Sequence, residues 1–183
     1  KKIFKHIQEH VDQASKDLAD ERGACPDAAD YGYNERFSNK TAIAPTASIS
    51  IICGGASPGV EPVAANSYTH KTLSGSFNVR NRYLVELLEK HGKNNDDVWS
   101  GITTNEGSVS HLDFLTDLEK DVFKTAFELD QKWIIELSGD RTPFISQAQS
   151  INLFVPADIH KRELHKIHFD AWKKGLKSLY YCR

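Results

Sequence analysis

The junction at Pro45 constrains this chain more than any other feature. Ala42, Ile43 and Ala44 form a short apolar run of the kind that fills a buried strand, and Pro45 stops it, because proline has no N–H for a sheet ladder. Thr46, Ala47 and Ser48 follow, all small, two of them with hydroxyls. A strand entering such a turn offers converging backbone N–H groups and no bulky side chain. A helical turn after it would add its positive end, which suits an anion. The same residues also fit a plain strand–turn in which Thr46 or Ser48 only caps a helix.

The length of 183 residues is enough for one domain with a sizeable core. The balance of 23 basic and 25 acidic residues implies no broad basic face for nucleic acid. No apolar run approaches the roughly 18 to 20 residues of a membrane span, and the amphipathic start Lys1-Lys-Ile-Phe-Lys-His-Ile7 is unlike a signal peptide. Cys25, Cys53 and Cys182 are odd in number and far apart. That argues against a disulfide framework and for a reducing, cytoplasmic setting. Without a C-x-x-C pair, a cysteine zinc site is not expected. The chain lacks methionine even at position 1 and ends abruptly at Tyr180-Tyr-Cys-Arg183, so it reads as a fragment, either a split-gene product or a truncated chain.

Periodicity predicts a helix over 2–22, with Ile3, Ile7, Val11, Ala14 and Leu18 on one face and Gly23 as its stop. Residues 23–40 read as a long connection. Strands are expected within Ser67–His70 and Leu73–Val79, and a short helix over 82–91 through Leu84, Leu87 and Leu88. Gly92 ends it, and Lys93–Asp97 reads as a polar loop. Thr116 and Glu119 form a capping box that opens an expected helix over 117–137. Its wide apolar face (Val122, Phe123, Ala126, Phe127, Trp133, Ile134, Leu137) implies deep burial, and Ser138-Gly139 would close it. Ile151–Val155 is strand-like. Asp158 is the expected cap of a helix over 159–174 with Leu164, Ile167, Ala171 and Trp172 inward, Gly175 ends that helix, and Leu176–Tyr181 is the last strand candidate. Alternating strand and helix points to an α/β architecture.

The chemistry is less explicit. Cys53-Gly-Gly-Ala-Ser-Pro-Gly59 has permissive glycines at 54 and 55 but not the G-x-x-x-x-G-K-[ST] order of a nucleotide loop. Glu61, held extended before Pro62, is either an anchor or a site carboxylate. Cys25 is either a redox thiol or a small filler. His160, His165 and His168 do not follow H-E-x-x-H and read as solvated or hydrogen-bonded histidines rather than metal ligands. Tyr180 and Tyr181 would point to opposite faces of a regular strand. The competing reading is a stacked pair able to carry one-electron oxidation.

Taken together, five segments resemble the C-terminal portion of the large (alpha) subunit of class I ribonucleotide reductase. They are Ala44-Pro-Thr-Ala-Ser-Ile49, Gly59-Val-Glu-Pro62, Leu73-Ser-Gly-Ser-Phe77, Gln147-Ala-Gln-Ser-Ile-Asn-Leu-Phe154 and Trp172-Lys-Lys-Gly-Leu-Lys-Ser-Leu-Tyr-Tyr-Cys-Arg183. They follow the family's order and span nearly the whole chain after residue 23. The resemblance implies a ten-stranded α/β barrel, of which residues 1–183 supply part of the second half and not a closed barrel. Within it, 1–40 would be a helix and long connection, and 41–183 would run from the phosphate turn to the tyrosine pair. It implies that Thr46, Ala47, Ser48 and Ile49 bind the diphosphate of a ribonucleoside diphosphate substrate. It also implies that Tyr180 and Tyr181 relay a radical, with a backbone that departs from ideal strand geometry so that the rings stack.

The family's radical cysteine, its asparagine and glutamate helpers and its reducing cysteine pair lie upstream, with a further pair on a C-terminal tail. Cys25, Cys53 and Cys182 match none of them. The implied partners are therefore the N-terminal remainder of the large subunit, a small (beta) subunit and a second large subunit in a homodimer. No cofactor is expected on this chain, and a di-iron or di-manganese tyrosyl-radical centre is expected in the small subunit. Two alternatives stand beside this reading: an adenosylcobalamin-dependent reductase fragment, which needs no tyrosine relay, and a non-catalytic phosphate-binding module.

Overall fold

The structure, a computed structural model, describes every residue except Gly55 and Ser74, and the side chain of Thr72. Gly55's expected role as a permissive glycine, and Ser74 within the Leu73–Phe77 segment, therefore lie outside the described residues. The chain packs as two units of mixed helix and sheet. One comprises Lys1–Pro45, Gln131–Leu153 and Asp158–Arg183, and the other Thr46–Asp130 and Phe154–Ala157. Neither contains a closed barrel among the described residues.

In the first unit, α1 runs over Lys2–Arg22, as its periodicity predicts, and Gly23 stops it at φ 82°, donating its N–H to the Ala19 carbonyl. The buried positions of α1 are Ser15 and Ala19, while Ile3, Ile7 and Ala14 of the expected inward face lie exposed. The Ser15 hydroxyl explains the rotation, since it accepts from the N–H groups of Arg36 and Phe37 and draws the following loop onto that side. The connection holds one short helix, α2 (Pro26–Asp30). Lys40 ends the connection in an ion cluster, 2.6 Å from Asp12 and 3.3 Å from Glu35. Ile43 then makes a single parallel bridge to Gln149, and its neighbours Ala42 and Ala44 are exposed, so the expected buried strand is reduced to one rung. The segment is anchored by polar bonds instead. The Ser146 hydroxyl accepts from the N–H groups of Lys40 and Thr41, and the buried Gln149 amide donates to the Ser138 carbonyl and the Thr142 hydroxyl.

The core of this unit is Ile135, Leu153 and Ala171, flanked by Ile167, Leu176 and Leu179. It joins α7 in this unit (Gln131–Arg141) to α8 (Lys161–Lys173). Helix α8 starts three residues beyond Asp158. The His160 ring nitrogen, not the Asp158 carboxylate, caps it by accepting from the Arg162 N–H, because Ala157 and Asp158 are used in a turn before the helix. Trp172, expected inward, is 69% exposed, and Ala171 takes the core position.

In the second unit, α3 (Ala47–Ile52) follows Thr46. An antiparallel hairpin, β1 (Ser67–Thr72) and β2 (Gly75–Arg80), pairs Ser67 with Arg80 and His70 with Phe77. Asn81 caps α4 (Arg82–Lys90), which buries Leu84 and Leu88. The expected polar loop after it is shorter than the sequence suggests. Asn95 accepts from the Val98 N–H and opens α5 (Asp96–Thr104), which buries Trp99 and Ile102. Together with Val109, Leu112 and Leu115 these form the core, each large side chain contributing roughly 1.5–3 kcal/mol by leaving water.

The expected helix over 117–137 is two helices. Thr116 and Glu119 form the predicted capping box, but α6 covers only Asp117–Val122. A 3-10 turn at Ala126–Glu128 intervenes before α7. The break follows from a second T-x-x-E sequence, in which the Thr125 N–H donates to the Glu128 carboxylate at 2.8 Å. Helix α7 also runs through Ser138-Gly139 to Arg141. With the helix divided, the single apolar stripe no longer exists, and Val122, Phe127, Trp133 and Leu137 are exposed while Ala126 and Ile134 are buried.

Candidate functional site

Thr46 precedes α3 with φ −100° and ψ 37°, and its hydroxyl makes no capping bond. Its N–H donates to the Pro58 carbonyl, which braces the turn. The opening N–H groups of a helix have no carbonyl one turn earlier to bind. Here they belong to Ala47, Ser48 and Ile49, which are all exposed. Ser50, by contrast, is buried and donates its hydroxyl back to the Ala47 carbonyl. The turn is thus an open edge of small residues with hydroxyls at Thr46 and Ser48. Glu61 is buried, and its backbone carbonyl accepts from the Ser57 hydroxyl.

The tyrosines lie in the first unit, where 151–153 and 180–183 run parallel. Leu153 pairs with Cys182, its N–H donating to the Tyr181 carbonyl and its carbonyl accepting from the Arg183 N–H, both at 2.8 Å. One rung earlier the Ile151 carbonyl accepts from the Tyr180 N–H, also at 2.8 Å. In a regular parallel ladder one residue makes both of the bonds that Tyr180 and Tyr181 here share. Two residues oppose one, which is a bulge. A bulge removes the alternation that would send the rings to opposite faces, and the ring centroids lie 4.2 Å apart, tilted by 58°. The hydrogen bond with Tyr181 raises the Tyr180 phenol above the ordinary tyrosine range, while the Arg183 charge pulls weakly the other way. Arg183 lies over the Tyr181 ring, 5.1 Å from its centroid. Composition does not single out Arg183; the signal is its i, i+2 spacing from Tyr181, which places both on one strand face.

The histidines have local tasks. His160 caps α8, His168 bonds the Leu164 carbonyl, and His165 stacks on Phe169. Among the described residues no group of three or more His, Cys, Asp or Glu side chains is placed to hold a metal ion. Cys25, Cys53 and Cys182 are free thiols, with Cys25 half-buried and the other two exposed. No helix among the described residues is long and apolar enough to cross a membrane.

The family profile "Ribonucleotide reductase, barrel domain" matches residues 4–182. The chain belongs to the ribonucleotide reductase large-subunit family. It is 50% identical over 185 residues to the ribonucleoside-diphosphate reductase large subunit of Invertebrate iridescent virus 6, covering 99% of this chain and 19% of that protein. The corresponding protein of Invertebrate iridescent virus 3 is 46% identical, covering all of this chain and 29% of its relative. Among solved structures, the class Id ribonucleotide reductase alpha subunit of Actinobacillus ureae superposes with a TM-score of 0.85 at 38% identity, over 99% of this chain and 33% of that one. The chain therefore spans between about a fifth and a third of the length of these three proteins. The fold is that of part of a reductase barrel domain, with mixed helix and sheet.

Proposed function

We propose that this chain serves the reduction of ribonucleoside diphosphates to deoxyribonucleoside diphosphates, as the part of a large subunit that holds the substrate's diphosphate and passes on a radical. The observation that carries the reading is the Tyr180–Tyr181 ring contact at the bulge. A strand has no packing need for two adjacent phenols on one side, whereas a one-electron relay needs them in contact.

In this reading Thr46 and Ser48 donate hydroxyls, and Ala47, Ser48 and Ile49 donate backbone N–H groups, to the diphosphate oxygens. The small residues leave room for close approach. The positive end of α3 adds a fraction of a charge at that edge. Holding the phosphates fixes the ribose for chemistry carried out by cysteines elsewhere in the large subunit. In the relay, Tyr181 first gives up one electron and its phenolic proton to an oxidant supplied by the small subunit. Tyr180 then passes a hydrogen atom across the phenol–phenol hydrogen bond. The Tyr180 O–H bond breaks, the Tyr181 O–H bond re-forms, and the unpaired electron rests on Tyr180. Residues 1–183 act as the C-terminal portion of the barrel domain. Association with the rest of the large subunit, a second large subunit and a small subunit is supported by the large apolar side chains that α1, α7 and α8 leave exposed, among them Ile3, Trp133 and Trp172.

The test is turnover in the reductase assembled from the large subunit carrying this chain and its small subunit. Tyr181→Phe should abolish product formation while leaving nucleotide binding intact, because phenylalanine is too hard to oxidise. Ser48→Ala with Thr46→Val should raise KM for the diphosphate with little change in kcat. Full activity in Tyr181→Phe would overturn the relay.

A further inference from the structure

The bulge has a second effect on the same strand. Having brought Tyr180 and Tyr181 to one side, the ladder resumes at Leu153–Cys182, and the Arg183 N–H is held by the Leu153 carbonyl. Arg183 thus shares a face with Tyr181 by the ordinary two-residue alternation, and its guanidinium lies over the Tyr181 ring at 5.1 Å. Among the described residues, Tyr181 has an aromatic contact with Tyr180 at 4.2 Å and a cation contact with Arg183. Both tyrosines are about half exposed, so part of the Tyr181 ring faces open space. A half-exposed ring can swing toward solvent about its χ1 bond, and a cation over its face opposes that motion.

We propose that Arg183 is a positioning residue of the relay, its guanidinium clamping the Tyr181 ring in contact with Tyr180. The proposal rests on the relay reading above. It assigns Arg183 no contact with substrate and no electron or proton transfer. A permanent cation suits the task, because the attraction is between its charge and the ring face, and a guanidinium keeps that charge throughout the working pH range. The charge also reaches the neighbouring phenol, since it opposes the upward shift that the Tyr181 hydrogen bond gives Tyr180.

The experiment compares Arg183→Gln and Arg183→Lys in the assembled reductase, with two readouts. The first is steady-state kinetics with a ribonucleoside diphosphate. The second is the pH titration of ring-carbon-labelled tyrosine followed by NMR. Arg183→Gln should lower kcat about two- to fivefold, the range expected for losing an exposed cation–π contact, with KM unchanged. It should also move the Tyr180 titration midpoint upward, and Arg183→Lys should restore most of both. An unchanged kcat and midpoint in Arg183→Gln would overturn the proposal. So would equal losses in both variants with no movement of the midpoint, because that pattern marks a purely structural role. Tyr181→Phe separates the two ideas: if it turns over normally the relay fails, while the titration still reports whether Arg183 acts on the pair.

Discussion

Tyr180 and Tyr181 divide between them the pair of ladder bonds that one strand residue normally makes. Tyr180 gives its N–H to Ile151 and Tyr181 gives its carbonyl to the Leu153 N–H. The Tyr181 N–H is thereby left out of the ladder. Amide hydrogen exchange in the assembled large subunit should show slow exchange at Tyr180, Leu153 and Arg183 and faster exchange at Tyr181. Equal protection at Tyr180 and Tyr181 would contradict a bulge.

Glu119 should make the second unit's stability depend on pH. Its carboxylate bonds the His91 ring at 3.0 Å and the Thr116 N–H and hydroxyl, both at 2.8 Å. These bonds, the one to His91 foremost, lower its pKa from 4.5 to about 2. A group whose folded pKa is depressed stabilises the fold above its unfolded pKa and loses that contribution as pH falls through the folded value. The stability gap between the unsubstituted protein and Glu119→Gln should be constant from pH 7 to about 5. It should then shrink below about 4.5 and be largely gone near pH 2, as read by urea unfolding.

Lys40 ties the 31–40 connection to α1. Burial alone would lower its pKa, but the hydrogen bonds and charges of Asp12 and Glu35 outweigh burial and raise it. The ammonium thus stays charged through the neutral range. Its side chain is only 16% exposed, which places the cluster between a surface pair and a fully buried one. Lys40→Met should cost about 1–3 kcal/mol, because two partly covered carboxylates then face each other without a cation. Adding Asp12→Asn should recover part of that loss. A double variant no more stable than Lys40→Met would show that the connection is held by something else.

The elements that were legible in the sequence are those set by local rules. Helix α1 and its Gly23 stop, the hairpin strands and α4 with Leu84 and Leu88 follow period and punctuation. Elsewhere one local signal masks another. Thr116-x-x-Glu119 opens a periodic run long enough to hide the second T-x-x-E at Thr125, which divides the helix. Asp158 is the stronger cap by residue type, yet His160 takes the position, and Asn95 lies in a polar run although it opens α5. The tyrosine contact is a different case. Period two places the rings on opposite faces, and the bulge that brings them together depends on pairing with residues about 30 positions earlier in the chain. No local pattern encodes that pairing, so the residues alone leave the stacked pair as the weaker reading and only the family resemblance favours it.

Asn66 is almost fully buried, although no local sequence pattern marks it. Its side-chain amide donates to the carbonyls of Gly107 at 3.0 Å and Phe123 at 2.7 Å, and its side-chain carbonyl accepts from Asn81 at 2.9 Å. One side chain thus joins the start of the hairpin, the cap of α4, the loop after α5 and the end of α6. Gly107 permits the approach, since it has φ 83° and an added Cβ would lie 2.4 Å from the Ala65 side chain. Asn66→Ala removes this partner from the half-buried Phe123 carbonyl and the Asn81 amide and leaves the buried Gly107 carbonyl only the Asn66 backbone N–H, and should cost about 2–4 kcal/mol. Asn66→Asp is the sharper probe. The carboxylate can still accept from Asn81, but it turns oxygen lone pairs toward the Gly107 and Phe123 carbonyls. At pH 7 it should be at least as destabilising as alanine. As pH falls and the carboxyl gains a proton it can donate, Asn66→Asp should recover relative to Asn66→Ala. A milder loss for aspartate than for alanine at pH 7 would show that the two donated bonds do not hold this junction.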